Sequence, residues 1–177
     1  SQVTLQFQYS SGNYAPVSNV VDNSDHVVYL DSSASNVVIG GFTITHGVIP
    51  GSGNYGSGIC NLAGNLRVED CNIDLNYTYS GRGGIYNCGG VSLLVTNTTV
   101  SRNWVHENVP SLGGGLWSNN GLGIGDCTFK SNQSEYGAAV YCTLDPSEIV
   151  SINNCLFYYN RPPDRGLDGA LYIDDGI

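Results

Sequence analysis

An asparagine recurs along this chain at a nearly constant spacing, and each copy lies ten residues after an apolar residue. The pairs are Leu66/Asn76, Leu93/Asn103, Leu122/Asn132 and Val150/Asn160. The steps from one asparagine to the next are 27, 29 and 28 residues. A repeat of this length is typical of solenoids, in which each repeat is one structural unit that stacks on the next.

Each segment that ends at a repeating asparagine has the same apolar pattern. Aligned on that asparagine, the segments read LRVEDCNIDLN, LLVTNTTVSRN, LGIGDCTFKSN and VSINNCLFYYN. Two apolar residues two positions apart indicate one face of a strand, and the Asp or Asn that follows indicates a bend. A second short strand then carries Ile, Val or Phe three positions before the asparagine. Residues 37–47 have the same pattern, with Gly47 at the asparagine position.

The repeating asparagines predict a ladder at one corner of the coil. Asparagine tolerates the left-handed backbone conformation, and its amide can donate to the same amide in the next coil. We therefore expect Asn76, Asn103, Asn132 and Asn160 to stack and to satisfy buried polar groups.

A second motif recurs between the asparagines: a small residue, an aliphatic residue and then a residue that is mostly aromatic. Its copies are Gly58-Ile59-Cys60, Gly84-Ile85-Tyr86, Gly115-Leu116-Trp117, Ala139-Val140-Tyr141 and Ala170-Leu171-Tyr172, and Val28-Tyr29 belongs with them. Together the motifs indicate three short strands in each turn of about 28 residues. We predict an all-β fold, a right-handed parallel β-helix of about six coils, in one domain over residues 1–177.

Two other folds were weighed against this one. A Rossmann-type fold is excluded because no helical periodicity separates the strands. An antiparallel sandwich is the alternative, but it does not explain why the same residue type returns in every coil.

The motifs also resemble those of a known class. GGIY, GGLW and GAAVY, paired with FKSN and FYYN, resemble the GGA[ILV] and FxxN repeats of polymorphic outer-membrane adhesins. More broadly, they are similar to right-handed parallel β-helix proteins of the pectate-lyase-like superfamily, over residues 26–177. The resemblance implies the fold more than the function, because that fold occurs in lyases, adhesins, phage spikes and fibres.

Composition excludes some partners. The net charge is −9 and the chain has only six basic residues, so it offers no basic stripe for nucleic acid. No apolar run approaches the roughly 20 residues of a membrane span. Six cysteines fit an oxidising compartment, and together with Asn-x-Ser/Thr sequons at Asn76, Asn97 and Asn132 they predict an extracellular or cell-surface location.

The cysteines are expected to be structural. Cys71, Cys127 and Cys155 share one column, in which they would form disulfides or stack as small buried side chains. The paired spacing of a zinc site is missing, so we predict no metal and no cofactor.

The two ends of the chain match each other. Val3, Leu5 and Phe7 alternate and Asn13 lies ten residues after Val3, which is the strand-plus-asparagine unit expected after Leu171. We therefore expect head-to-tail polymerisation through these residues and through Tyr172, Ile173 and Ile177, with residues 1–25 completing a neighbour's last coil. The alternative is that residues 1–177 are one piece of a longer tandem solenoid.

Other candidate sites are weaker. Tyr29, Tyr86, Trp117, Tyr141 and Tyr172 would align in a stripe that either stacks on sugar rings or stiffens the rod. Asp164, Arg165 and Asp168 share a loop, Asp174 and Asp175 lie near the end, and His26, His46 and His106 are scattered. No catalytic arrangement stands out, so we predict a non-enzymatic structural subunit of an extracellular fibre or surface rod. The alternative is a carbohydrate-binding or carbohydrate-active module.

Overall fold

The computed structural model describes residues 5–8, 14–17, 26–50, 55–62, 64–79, 81–89, 92–106, 110–145, 147–162 and 169–174. Within these ranges the chain forms strands and turns and no helix. The described residues accordingly hold no helix of the length and apolarity that a bilayer crossing requires.

The strands are short and follow one another at regular intervals. In chain order they are β1 (Leu5–Gln8), β2 (Tyr14–Val17), β3 (Val28–Leu30), β4 (Val37–Gly40), β5 (Thr43–Thr45), β6 (Val48–Ile49), β7 (Ile59–Asn61), β8 (Leu66–Glu69), β9 (Asn72–Asp74), β10 (Tyr77–Thr78), β11 (Ile85–Asn87), β12 (Ser92–Thr96), β13 (Thr99–Ser101), β14 (Trp104–Val105), β15 (Leu116–Ser118), β16 (Gly121–Gly125), β17 (Thr128–Lys130), β18 (Val140–Thr143), β19 (Val150–Asn153), β20 (Leu156–Tyr158) and β21 (Leu171–Asp174).

The strands stack in parallel into a β-solenoid, which confirms the predicted fold class. One sheet has the order β21-β18-β15-β11-β7-β3, a second β19-β16-β12-β8-β4 and a third β20-β17-β13-β9-β5. A short fourth sheet, β14-β10-β6, was not predicted. Four complete turns separate β4 from β19, so the prediction of about six coils was too high. The right-handed sense stays a prediction.

The register between strands follows the predicted columns. Leu66, Leu93, Leu122 and Val150 are mutual partners in the second sheet, and Ile73, Val100, Phe129 and Phe157 are partners in the third. Apart from those of the last coil, these side chains point into the solenoid and are buried. Because each coil repeats the same inward positions, the core is a set of stacked columns rather than one central cluster.

The left-handed backbone conformation occurs at a different residue of the ladder corner from the one predicted. The ladder asparagines themselves do not have a positive φ. The residue before each of them does, namely Leu75 (56°), Arg102 (51°), Ser131 (55°) and Tyr159 (56°). A second set of left-handed residues, Asp70, Asn97, Asp126 and Asn154, turns the chain between the second and third sheets, as expected for turn formers.

The first two strands form a separate hairpin. β1 and β2 pair antiparallel, with Leu5 opposite Val17 and Gln8 opposite Tyr14. The backbone of β1 lies beside β4, the first strand of the second sheet. The hairpin therefore lies at the N-terminal end of the solenoid.

Candidate functional site

The repeating asparagines form a continuous buried ladder, as their spacing predicted. The Oδ1 atom of Asn103 accepts from the backbone N–H of Asn76 (3.1 Å) and from its Nδ2 (2.9 Å). Asn132 accepts in the same way from Asn103, and Asn160 from Asn132, at 2.9–3.0 Å. Each Nδ2 also donates to a carbonyl of the preceding coil, for example from Asn103 to Ile73 (3.0 Å). Every side-chain polar atom of the buried residues Asn76, Asn103 and Asn132 is thus satisfied inside the corner.

Glycines of the second motif lie directly against this ladder and against the backbone of the next coil. A Cβ atom on Gly84 would lie 2.7 Å from Cγ of Asn103 and 2.9 Å from the carbonyl oxygen of Gly115. A Cβ atom on Gly115 would lie 3.1 Å from Nδ2 of Asn132. At Gly84 and Gly115 the two sequence motifs therefore meet, because the ladder amide and the next coil's backbone leave little room for a side chain.

A second polar ladder, which the sequence motifs above did not predict, runs inside the first sheet. Asn61 Nδ2 donates to Oδ1 of Asn87 (2.6 Å), and Asn87 Nδ2 donates to Oγ of Ser118 (2.9 Å). All three side chains are fully buried. The sequence does contain a signal for this ladder, because each of these polar residues directly follows the third residue of the second motif.

The outer corner carries paired acids and amides. Nδ2 of Asn97 donates to Asp70, and Nδ2 of Asn154 donates to Asp126. Because Asp and Asn alternate along this column, no two carboxylates stack directly in adjacent coils. The pairing lets an acidic chain keep carboxylates at a corner without direct repulsion between coils.

The predicted aromatic stripe is a real column, but it is buried. Tyr86, Trp117, Tyr141 and Tyr172 are register partners on the outer face of the first sheet. Tyr86 stacks on Trp117 and Tyr141 on Tyr172, with ring centroids 4.9 and 5.0 Å apart. Tyr86, Trp117 and Tyr141 are at least nine-tenths buried, so the stripe is closed to sugar rings. Tyr29, at the far end, is exposed.

A second layer covers the stripe. The turns before the first-sheet strands contribute Tyr55, Leu112 and Tyr136, which pack against the buried rings. The Arg82 guanidinium lies between the rings of Tyr55 and Trp117, with its carbon 4.5 and 4.7 Å from their centroids. A cation between two ring faces adds electrostatic attraction to the packing. Both faces of the central strands of the first sheet are therefore packed.

The C-terminal end of the solenoid is open. Inward residues of the last coil are half-buried or exposed: Val150, Ile152, Phe157, Leu171 and Ile173. Leu171 is 43% exposed, whereas its register partner Val140 in the preceding coil is fully buried. At the opposite end, the inward residues Val28, Val37, Ile39 and Ile44 are buried. Among the described residues, the two ends therefore differ in the burial of their inward side chains, which are partly exposed only in the last coil.

Five of the predicted assembly residues lie at these two ends. Leu5 and Phe7 belong to β1 at the N-terminal end, and Leu171, Tyr172 and Ile173 belong to β21 at the C-terminal edge of the first sheet. Val3, Asn13 and Ile177 lie outside the described residues.

The cysteines are buried or half-buried, and all six are free thiols. Cys127 and Cys155 are neighbours in adjacent coils, as predicted, without a bond between them. Burial raises the pKa of the Cys60 and Cys142 thiols to about 12 and that of Cys127 to about 11. These three thiols are therefore neutral at pH 7 and pack as small apolar groups.

The three glycosylation sequons differ in whether their asparagine is accessible to a glycan. Nδ2 of Asn76 and of Asn132 donates twice within the buried ladder, so a glycan on either nitrogen is incompatible with the fold. Asn97 lies on an exposed corner. Glycosylation at Asn97 stays a prediction.

The remaining acid and base candidates do not converge in the described part of the chain. Asp164, Arg165, Asp168 and Asp175 lie outside it. The described residues contain no group of three His, Cys, Asp or Glu side chains that could hold a metal ion. Asp174 accepts from the hydroxyl of Tyr141 (3.1 Å), which is a structural contact at the edge of the stripe.

A different aromatic cluster, which was not predicted from the sequence, is partly exposed. On the outer side of the short fourth sheet, Tyr77 packs against Trp104 with centroids 5.0 Å apart, and Tyr79 stacks on His106 at 4.9 Å. Trp104 is 39% and Tyr79 is 40% exposed. Nδ1 of His106 is buried without a hydrogen-bond partner. We call these four residues the aromatic cluster of the fourth sheet.

Comparison with models of protein families, with curated proteins and with solved structures found no match. The resemblance to adhesin repeats therefore rests on the quoted motifs.

Proposed function

We propose that this chain is a structural subunit of an extracellular fibre or surface rod, assembled head-to-tail by stacking of end coils. The open C-terminal coil is the observation that carries this proposal. Its inward column is exposed at Leu171 but buried in every described coil before it. Uncovered parallel strand edges and apolar side chains form a template for another coil, because further pairing buries both.

The placement of β1 supports stacking in one direction. β4 and β19 are the two edge strands of the same five-stranded sheet, and β1 lies beside β4. If the N-terminal end of one copy stacks on the C-terminal end of another, β1 of the second copy faces β19 of the first. Because β1 pairs with β2 and not with β4, the hairpin would form the contact surface between the two copies. A contact between unlike ends that does not close produces a filament.

The proposal predicts that Leu171→Arg prevents assembly of the chain. The substitution places a charge in the inward column that stacking would bury, and burial of an unpaired charge is strongly unfavourable. We expect wild-type chain to show concentration-dependent growth by sedimentation velocity and rods in negative-stain images. We expect the variant to stay monomeric at the same concentrations.

Leu94→Arg is the matched control for this experiment. Leu94 is 40% exposed, nearly as much as Leu171, but it lies on the outer face of the second sheet, away from the open end. Assembly should persist in this control. Equal assembly of the wild type and the Leu171→Arg variant would contradict coil stacking.

A carbohydrate-binding function is the second candidate, and the aromatic cluster of the fourth sheet favours it. Partly exposed aromatic rings on adjacent coils can pack against the apolar faces of sugars, as the buried stripe cannot. We expect Trp104→Ala to weaken binding on a glycan array by about fivefold to tenfold, since one aromatic contact contributes roughly 1 kcal/mol. Tyr29→Ala, which removes an exposed ring elsewhere, is the control. Unchanged binding by Trp104→Ala would rule out this surface.

A further inference from the structure

The layer that covers the aromatic stripe contains two hydrogen-bond donors without acceptors. They are Nε of Arg82 and Nε1 of Trp117, and both atoms are buried without a hydrogen-bond partner in the described part of the chain. Cζ of Arg82 lies 4.7 Å from the centroid of the Trp117 ring, so the two donors belong to one place in the layer. Buried polar groups are nearly always paired, and two unpaired donors side by side therefore require a common explanation.

Neither donor can satisfy the other. A guanidinium and an indole N–H both donate hydrogen bonds, and neither group has an acceptor atom. Arg82 also lies over the face of the Trp117 ring, whereas the indole N–H lies in the ring plane. The faces of Tyr55 and Trp117 attract the charge of Arg82, but they do not replace an oxygen acceptor. The packing of this layer therefore leaves its polar groups unsatisfied.

Arg82 also differs from the other basic side chains that the structure describes. Arg67 and Arg102 form ion pairs with carboxylates, and Lys130 and Arg161 are exposed. Arg82 is half-buried, and no carboxylate of the described residues lies within ion-pair distance of it. A partly buried cation is favourable only where a counter-charge or an acceptor compensates for its lost hydration.

The local backbone holds the rings around this cation. Gly81, directly before Arg82, has a φ of 98°, and a Cβ atom there would lie 2.1 Å from Cε1 of Tyr55. A glycine at this position therefore lets the Tyr55 ring lie beside the guanidinium. Because ring faces of Tyr55 and Trp117 flank Arg82, a ligand has to approach the edge of the guanidinium, where its N–H groups point.

We propose that Arg82 and Trp117 form a binding site for the carboxylate group of a small molecule. Two parallel N–H groups on one edge of a guanidinium match the two oxygens of a carboxylate. A planar carboxylate also fits beside ring faces with less steric conflict than a tetrahedral sulfate or phosphate. Arg82 is reachable from solvent, and the indole N–H of Trp117 supplies a further donor. The site lies at the middle strands of the first sheet, so it does not depend on head-to-tail assembly.

The indole N–H resonances of the full chain test this site, because the chain contains only two tryptophans. The spectrum of Trp104→Phe assigns the two signals. The chain is titrated with sodium acetate, and sodium chloride is adjusted to keep the ionic strength constant. The Trp117 signal should shift downfield and saturate, because its N–H gains an acceptor, whereas the Trp104 signal should not change.

Arg82→Lys tests the donor geometry, because lysine keeps the positive charge but has no pair of parallel N–H groups. Acetate should bind to this variant at least about tenfold more weakly than to wild type. Arg161→Lys, the same substitution at an exposed arginine, is the matched control and should bind acetate as wild type does. Circular dichroism should show that both variants are folded. Sodium sulfate, titrated against the wild-type chain, needs no variant and should bind more weakly than acetate.

Three results would contradict the proposal. A Trp117 signal that does not move, or that moves without saturating, leaves Arg82 with a packing role alone. Equal binding of acetate by wild type and Arg82→Lys would exclude the guanidinium edge as the donor. Equal affinities for acetate and sulfate would show that the site does not select a carboxylate.

Discussion

Replacement of Asn103 by leucine should destabilise the folded chain by about 4 kcal/mol or more. The side chain satisfies the backbone N–H and Nδ2 of Asn76 and donates to the carbonyl of Ile73, all inside a corner closed to water. Leucine has the same branched arrangement of four side-chain heavy atoms, but it is bulkier and leaves these buried groups without partners, at about 1–3 kcal/mol each. The shift in the urea midpoint, followed by circular dichroism, measures the loss.

The matched control is Asn153→Leu, in which the same substitution is made at an exposed position. The only hydrogen bond that the Asn153 side chain makes among the described residues goes to the neighbouring hydroxyl of Ser151 (2.8 Å). Its replacement should change stability by no more than about 0.5 kcal/mol. Similar midpoints for the two variants would mean that the ladder contributes little.

Asn103→Asp distinguishes the lost hydrogen bonds from a change of shape. The carboxyl keeps an acceptor in place but loses both Nδ2 donors and adds a buried charge. Burial raises the pKa of such a carboxyl above its value in the unfolded chain, so the variant should gain stability as the pH falls and lose it as the pH rises. A variant whose stability relative to wild type does not depend on pH would contradict this explanation.

Replacement of Trp117 by alanine should destabilise the chain by about 3–5 kcal/mol, the usual loss for a buried tryptophan. Trp117 is 5% exposed, stacks on Tyr86 and forms one side of the sandwich around Arg82. Its removal would leave a cavity between the first sheet and the covering turns and expose one face of the guanidinium. A lower melting temperature by calorimetry is the expected result.

Trp104 provides an internal comparison, because the chain contains only two tryptophans. Trp104→Ala removes a ring that is 39% exposed, so we expect a loss of about 1 kcal/mol or less. If both variants melt at the same temperature, the covering layer does not stabilise the stripe. The comparison also shows which surface is open to ligands, because a folded Trp104→Ala chain can still be tested for glycan binding.

The repeat made much of the fold predictable. In a solenoid each residue contacts its equivalents in the two adjacent coils, so a column of similar residues in the aligned sequence is a column in space. For this reason Leu93 was correctly aligned with Leu66 and Leu122, and Asn103 with its ladder neighbours. The alternation of apolar and polar residues within each segment was enough to assign the side chains that point inward.

Structural features that do not recur as a sequence pattern from coil to coil could not be predicted in this way. The left-handed residue at the ladder corner is Leu75, Arg102, Ser131 or Tyr159, and these side chains share no property that a sequence pattern would detect. The hairpin formed by β1 and β2 is equally hidden, because alternation in β1 fits an antiparallel partner as well as a parallel one. Asn61, Asn87 and Ser118 differ in type, so their ladder was also overlooked.

By itself the sequence determined the β-solenoid, the register of its columns and the amide ladder, because these depend only on contacts between equivalent residues. Only the tertiary structure decided which surfaces are open. Tyr86 and Trp117 are covered because turns of unequal length bring Tyr55 and Arg82 over them. These turns have no repeating sequence pattern, so their position could not be predicted. Leu171 and Val140 occupy equivalent positions, yet one is exposed and the other buried. The difference arises because burial in a stacked column depends on whether another coil lies above it, and not on the residue itself.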